Sequence, residues 1–124
     1  MDFMSKGPIL LVEDDESIRE ALAEILQGEG FVVLSAENGY EALEILRRQT
    51  TAPRWILMDI AMPQMSGVEC IEKLRENLKW AKIPVTLLSA GARAGDQAKL
   101  QGVAFIKKPV DIDVLLAAAE ERCR

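Results

Sequence analysis

Five short apolar runs alternate along the chain with five segments of helical periodicity. The runs are PILLVE (8–13), FVVLSA (31–36), RWILMD (54–59), PVTLLS (84–89) and AFIK (104–107). Their near-continuous hydrophobicity suits strands covered on both faces, as in a parallel sheet, rather than strands with one wet face. Between the runs, apolar residues recur at helical spacing. Ile18, Ala21, Leu22, Ile25 and Leu26 follow i, i+3, i+4, i+7 and i+8, and Ile112, Leu115, Leu116 and Ala119 repeat the pattern near the C-terminus.

The punctuation agrees with this division. Gly28 and Gly30 stop the first helix, and Asn38-Gly39-Tyr40-Glu41 reads as a capping sequence for the second. Ser66 and Glu69 stand at capping-box spacing ahead of Cys70, Ile71 and Leu74, while Asp111 is placed to cap the last helix. Pro84 opens the fourth run. Strict β-α alternation predicts an α/β fold, a doubly wound five-stranded parallel sheet with right-handed crossovers. It occupies residues 8–124 as one domain, with residues 1–7 as an N-terminal extension. No linker, repeat or low-complexity stretch interrupts it.

Composition narrows the function classes. At 124 residues the chain fits one domain, and 49% hydrophobic with 28% charged residues is ordinary for a globular protein. No apolar run approaches the roughly 20 residues needed to span a bilayer, and MDFMSKG lacks the layout of a signal peptide. A cytoplasmic location is expected. The formal net charge is −5 and no Lys/Arg run occurs, so direct nucleic-acid binding is not expected. Cys70 and Cys123 are far apart and form no CxxC pair. The chain has no histidine, which excludes Cys/His zinc sites, Ser–His–Asp triads, Cys–His dyads and a phosphohistidine of its own.

In open α/β sheets, ligands bind outside the carboxyl ends of the strands. The first run ends in Glu13-Asp14-Asp15, the third in Asp59, the fourth in Ser89 and the fifth in Lys107-Lys108-Pro109. Taken alone, the four acids Glu13 to Glu16 are equally a solvated helix start, because acids favour helix N-termini, or the mouth of an acidic site. Asp59 alone would more often be a turn residue. Acids at two strand ends, a hydroxyl at a third and lysines at a fourth form a coherent set. Two carboxylates about 5 Å apart repel by roughly 3 kcal/mol at an effective dielectric near 20. Converging acids therefore raise one another's pKa or recruit a cation.

VEDD after the first strand, MDIAMPQMSG after the third, SA after the fourth and KP after the fifth closely resemble the receiver domain of two-component response regulators. The resemblance covers about residues 7 to 123. It implies a flavodoxin-like (βα)5 fold with strand order 2-1-3-4-5, the order of that family's sheet. It also implies a phosphoacceptor switch. Asp59 takes a phosphoryl group from a sensor histidine kinase or a histidine phosphotransfer protein. Mg²⁺ (or Mn²⁺) is held by Asp14, Asp59 and the backbone carbonyl of Ala61, with Glu13 acting through a water. Lys108, preferred over Lys107 for its place before the proline and three residues after Phe105, pairs with a phosphoryl oxygen. The Lys108-Pro109 bond is cis in the family. Ser89 and Phe105 match the switch pair, a hydroxyl that moves to the phosphate and an aromatic ring that turns inward. Such a molecule catalyses only its own phosphorylation and dephosphorylation, and acts through a downstream protein partner as a monomer or weak dimer. The alternatives are a receiver excised from a longer multidomain regulator or hybrid kinase, or a receiver-like module that works without phosphorylation.

Departures from the family pattern carry their own expectations. Ser89 replaces the commoner threonine. Ala61 and Gly91, each two residues beyond a site residue, leave no side chain to reach over the phosphoryl group, so slow autodephosphorylation is expected. The segment between Ser89 and Lys108 is about three residues short and carries Gly91, Gly95 and Gly102. The fourth helix is therefore expected to be short or frayed. A phosphatase with an aspartate nucleophile would need a second acid where Ala61 stands, and neither GxxxxGK[ST] nor GxGxxG occurs.

Overall fold

The computed structural model describes residues 6–91 and 94–123. Ten elements alternate: β1 (Lys6–Val12), α1 (Glu16–Gly28), β2 (Phe31–Ala36), α2 (Gly39–Arg48), β3 (Trp55–Asp59), α3 (Gly67–Arg75), β4 (Val85–Ser89), α4 (Ala94–Gln101), β5 (Ala104–Lys107) and α5 (Ile112–Arg122). All four strand pairings are parallel and the sheet order is β2-β1-β3-β4-β5. The expected doubly wound architecture and strand order are both present.

The apolar runs are continuous because successive side chains serve two different cores. In β1, Leu10 and Val12 face the α2–α3–α4 layer, as do Ile56 and Met58 of β3. Ile9, Leu11, Trp55 and Leu57 point the other way, against Leu22 and Leu26 of α1 and Leu115 and Ala119 of α5. Period-two alternation with both faces covered leaves few polar positions in the central strands, and those present must find partners. The buried Trp55 indole N–H donates to Thr86 Oγ1 at 3.0 Å, so its polar atom is satisfied within the core.

Helix starts follow the sequence expectations. Asp15 Oδ1 accepts from the Ile18 amide and caps α1, Asn38 Oδ1 accepts from Glu41, and Asp111 Oδ1 accepts from Asp113 and Val114. Ser66 and Glu69 form a reciprocal capping box. Two expected core positions lie outside the core: Ala21 is exposed, and Ile112 sits half out of the protein in the first turn of α5. In α1, Ala23 rather than Ala21 packs on the core. The expected N-terminal extension also gives up Lys6 and Gly7 to β1. The Lys6 amide donates to Gly30 O, and its ammonium lies 4.9 Å from the centre of the Phe31 ring and 2.5 Å from Glu120. Residues 1–5 of that extension lie outside the described residues. α4 is short, at eight residues, and Gly102 ends it with φ +69°. Positions 92 and 93, in the glycine-rich stretch ahead of α4, also lie outside the described residues.

Candidate active site

Strand register assembles the site. Val12 pairs with Met58, so Glu13 follows alongside Asp59; Asp59 pairs with Leu88, and Ser89 with Lys107. Glu13, Asp59, Ser89 and Lys108 thus arrive at one end of four adjacent strands. Backbone bonds tie the ends together, with Glu13 N–H donating to Ala36 O and Lys108 N–H to Ser89 O, both at 3.0 Å. The Lys108-Pro109 peptide is cis, as the resemblance implied.

The side chains converge on the Asp59 carboxylate. Lys108 Nζ lies 2.5 Å from Glu13 Oε1 and 2.9 Å from Asp59 Oδ2, spanning both acids. Asp59 Oδ1 accepts from the Ala61 amide at 3.1 Å, and Glu13 Oε2 accepts from the Asp14 amide at 3.1 Å. Glu13 is 0% and Asp59 6% exposed, whereas Asp14 is exposed. Lys107, the competing lysine, points to solvent. The geometry selects Lys108. Asp15 and Glu16 serve the start of α1 rather than the cluster.

These contacts separate the two buried acids electrostatically. Burial pushes the Glu13 carboxyl up to about 8, and Asp59 beside it pushes the same way, against the lowering pull of Lys108. Burial also raises Asp59, but hydrogen bonds from the Glu13 carboxyl, Lys108 and the Ala61 amide outweigh it and hold Asp59 below its ordinary value. Burial lowers Lys108, and the two acids overcome this and keep it above the usual lysine value. The arrangement therefore favours a proton on Glu13 and a negative charge on Asp59.

One carboxylate oxygen from each of Glu13, Asp14 and Asp59 lies within 4.8 Å of the others, which makes them a candidate metal site. The donors are all hard oxygens, matching Mg²⁺ or Mn²⁺ rather than metals that prefer thiolate or imidazole. A proton on Glu13 and the Lys108 ammonium compensate the cluster in the protein itself. A divalent cation would take over that role.

Ser89 is buried and its Oγ accepts from the Gly91 amide at 2.9 Å, so the hydroxyl binds its own loop in this conformation. Phe105 is half-buried against the α2–α3–α4 core. Two contributions were not legible as site features. Gly67 is half of the α3 cap in sequence terms, yet a Cβ there would meet Asp59 O at 2.8 Å and Ile60 Cα at 2.9 Å. Its amide also donates to Ile60 O at 2.8 Å. Only glycine lets α3 begin this close to the Asp59 backbone. Arg19 reaches back to donate to Glu13 O at 2.8 Å, holding the β1–α1 turn. Its place four residues after Asp15, on a helix, gave no sign of that long reach.

Comparison with known proteins agrees. The model for the response regulator receiver domain matches residues 9–120. The 14.6 kDa protein from the sodA1 3′ region of Leptolyngbya boryana is 36% identical, covering 99% of this chain and 95% of that one. Polar-differentiation response regulator DivK of Brucella anthropi is 33% identical over 84% of this chain and 85% of its own. Response regulator Rre1 of Synechocystis is 36% identical over 88% of this chain, but the match spans only 48% of Rre1. Among solved structures, the receiver domain of a histidine kinase from Syntrophus aciditrophicus superposes with a TM-score of 0.82 at 32% identity, covering 93% of this chain and 88% of that one. The receiver domain of sensor histidine kinase PA1611 from Pseudomonas aeruginosa, solved with a magnesium ion in its active-site cleft, gives 0.83 at 25% identity, covering 94% of this chain and 96% of that one. Fold, strand-end chemistry and these likenesses converge: the chain belongs to the response regulator receiver domain family.

Proposed function

We propose that the chain is a phosphoacceptor switch in a two-component phosphorelay, charged on Asp59 by a histidine kinase or a histidine phosphotransfer protein. The observation that carries this reading is the Lys108 ammonium spanning Glu13 and Asp59 at 2.5 and 2.9 Å. An Asp59 oxygen forms the new P–O bond as the P–N bond to the partner's phosphohistidine breaks. The imidazole keeps the bonding pair, takes up a proton and returns to neutral histidine. Asp59 is already ionised for attack, while Lys108 is placed to leave Glu13 and Asp59 and neutralise a phosphoryl oxygen. Glu13, Asp14, Asp59 and the Ala61 carbonyl would hold Mg²⁺ or Mn²⁺, Glu13 through a water. The bound cation supplies the positive charge that screens a carboxylate from an anionic phosphoryl group.

Once the phosphoryl group is in place, the Ser89 hydroxyl exchanges its bond from the Gly91 amide for one to a phosphoryl oxygen, and Phe105 turns inward. That two-state change biases the surface a downstream partner binds. Among the described residues no helix is long and apolar enough to cross a membrane. Work in the cytoplasm, alongside the kinase's phosphohistidine, completes the reading. Incubation with Mg²⁺ and acetyl phosphate, followed by intact-mass analysis, tests it. The wild-type chain gains one phosphoryl group and Asp59→Asn gains none. Equal uptake by both would sink the assignment.

A further inference from the structure

At the opposite end of the sheet from Asp59, the carboxyl-terminal turns of α2 and α3 flank the α3–β4 loop. Two adjoining clefts of about 400 and 380 Å³ open there, and Arg47, Asn77 and Trp80 line both. We infer that this groove docks an acidic, leucine- or aromatic-bearing segment of a partner protein. The reading is independent of phosphorylation at Asp59.

Charge is the first argument. The chain is net −5, yet Arg47, Lys73 and Lys79 line these clefts and Lys82 follows in the same loop. Helix ends explain part of this, because cations favour the last turn of α2 and α3. They do not explain Lys79 or Lys82, which follow the helix. Among the described residues no carboxylate pairs with Lys73, Lys79 or Lys82, while Arg47 reaches only Glu44 of its own helix, an exposed pair at 3.2 Å. Such a pair is worth little and exchanges readily for another carboxylate.

The second argument is Trp80. Trp80 is partly buried against the core of the α2–α3 face and also lines both clefts. Among the described residues nothing accepts from its indole N–H, in contrast to Trp55. Leu78, in the same loop, is 91% exposed. A half-seated tryptophan with a free donor beside Arg47 is the composition of an interface anchor, and the lysines add positive charge around it. Glu76 lines only the smaller cleft, so the acids of the peptide belong against Arg47 and Lys79 of the larger one, which no carboxylate lines. A short acidic peptide with apolar side chains satisfies all of these features.

The test is an NMR titration of the full chain with a short synthetic peptide alternating Asp and Glu with Leu and Phe. The controls are the same peptide with Asn and Gln for the acids, and a short oligothymidine. The expected result is saturable shifts at the Trp80 indole and in residues 43–52 and 73–83, absent with the neutral peptide. Because Trp80 also supports the core, the exposed pair Arg47→Glu with Lys79→Glu carries the test, its fold checked by unchanged circular dichroism. That variant should bind the acidic peptide about tenfold more weakly or worse. Any of four results overturns the inference: no shifts at millimolar peptide, shifts centred elsewhere, tighter binding of oligothymidine, or an unchanged affinity in the charge-reversed variant. Self-association through this groove, seen as concentration-dependent shifts at Trp80 without peptide, overturns it too.

Discussion

Glu13→Gln is the most discriminating substitution in the site, because the chain contains no histidine. Burial pushes both cysteine thiols up, that of Cys70 to about 11. Among the described residues Glu13, lifted to about 8, is the acid whose raised value makes stability depend on pH between 5 and 8 in metal-free protein. The sign is opposite to that of an ion-paired acid. Below 4.5 the folded and unfolded chains both hold the proton. As pH rises, the unfolded chain releases it while the folded chain keeps it until about 8, so folding loses stability across that window. At 1.36 kcal/mol per unit, wild-type protein in EDTA should lose roughly 3 kcal/mol between pH 5 and 8. Asp59 is depressed and works the other way, but its contribution changes only as pH falls below its unfolded value near 3.8, outside the window. Glutamine mimics the protonated form and cannot ionise, so the variant's stability should stay nearly flat. Urea unfolding at pH 5, 6, 7 and 8 reads the slope directly, and any constant offset from the altered Lys108 contact drops out. Parallel wild-type and variant slopes would refute the electrostatic account of the site.

Three further outcomes follow from particular contacts. Gly67→Ala drives a Cβ to 2.8 Å from Asp59 O, which should cost about 1–3 kcal/mol as overpacking and slow phosphoryl uptake more than a distant variant of equal stability. Unfolding and acetyl phosphate kinetics on both variants separate the two effects. If Asp59 takes the phosphoryl group as proposed, the small Ala61 and Gly91 beside the site leave no side chain to direct a water, so the phosphorylated chain should persist for minutes or longer by intact mass, and a half-life of seconds would contradict this. Trp55→Phe removes the donor to Thr86 Oγ1 and should cost about 1–3 kcal/mol in urea unfolding, and the accompanying Thr86→Val should recover part of that loss.

Much of the fold was legible because the strand runs and the caps are local signals. Buried strands read as apolar runs, and Asp15, Asn38, Ser66 and Asp111 act on amides two or three residues away. Boundaries were harder wherever a partner far along the chain decided them. Lys6 joins β1 because Gly30, Phe31 and Glu120 receive it, and none of these is near it in sequence. Ile112 fits an apolar stripe by spacing, yet it falls in the first turn of α5, beyond the layer that Leu115 and Ala119 bury against.

The site divides the same way. Order along the chain put Glu13, Asp14, Asp59, Ser89 and the pair Lys107-Lys108 at the strand ends, and the family resemblance chose Lys108 from that pair. Whether ILLVEDDES carried a site or a solvated helix start depended on what stood beside it. Parallel pairing of β1 with β3 sets Glu13 next to Asp59, and the end of β5 brings Lys108 between them. Tertiary structure likewise decided that Gly67 is a spacing device under Asp59, and that cations scattered as Arg47, Lys73 and Lys79 share one groove with Trp80. The physical reason is common to both. Hydrophobic periodicity and capping act over a few residues and are written in order, whereas the free energy of a charge depends on distance in space and on burial, which the fold alone supplies.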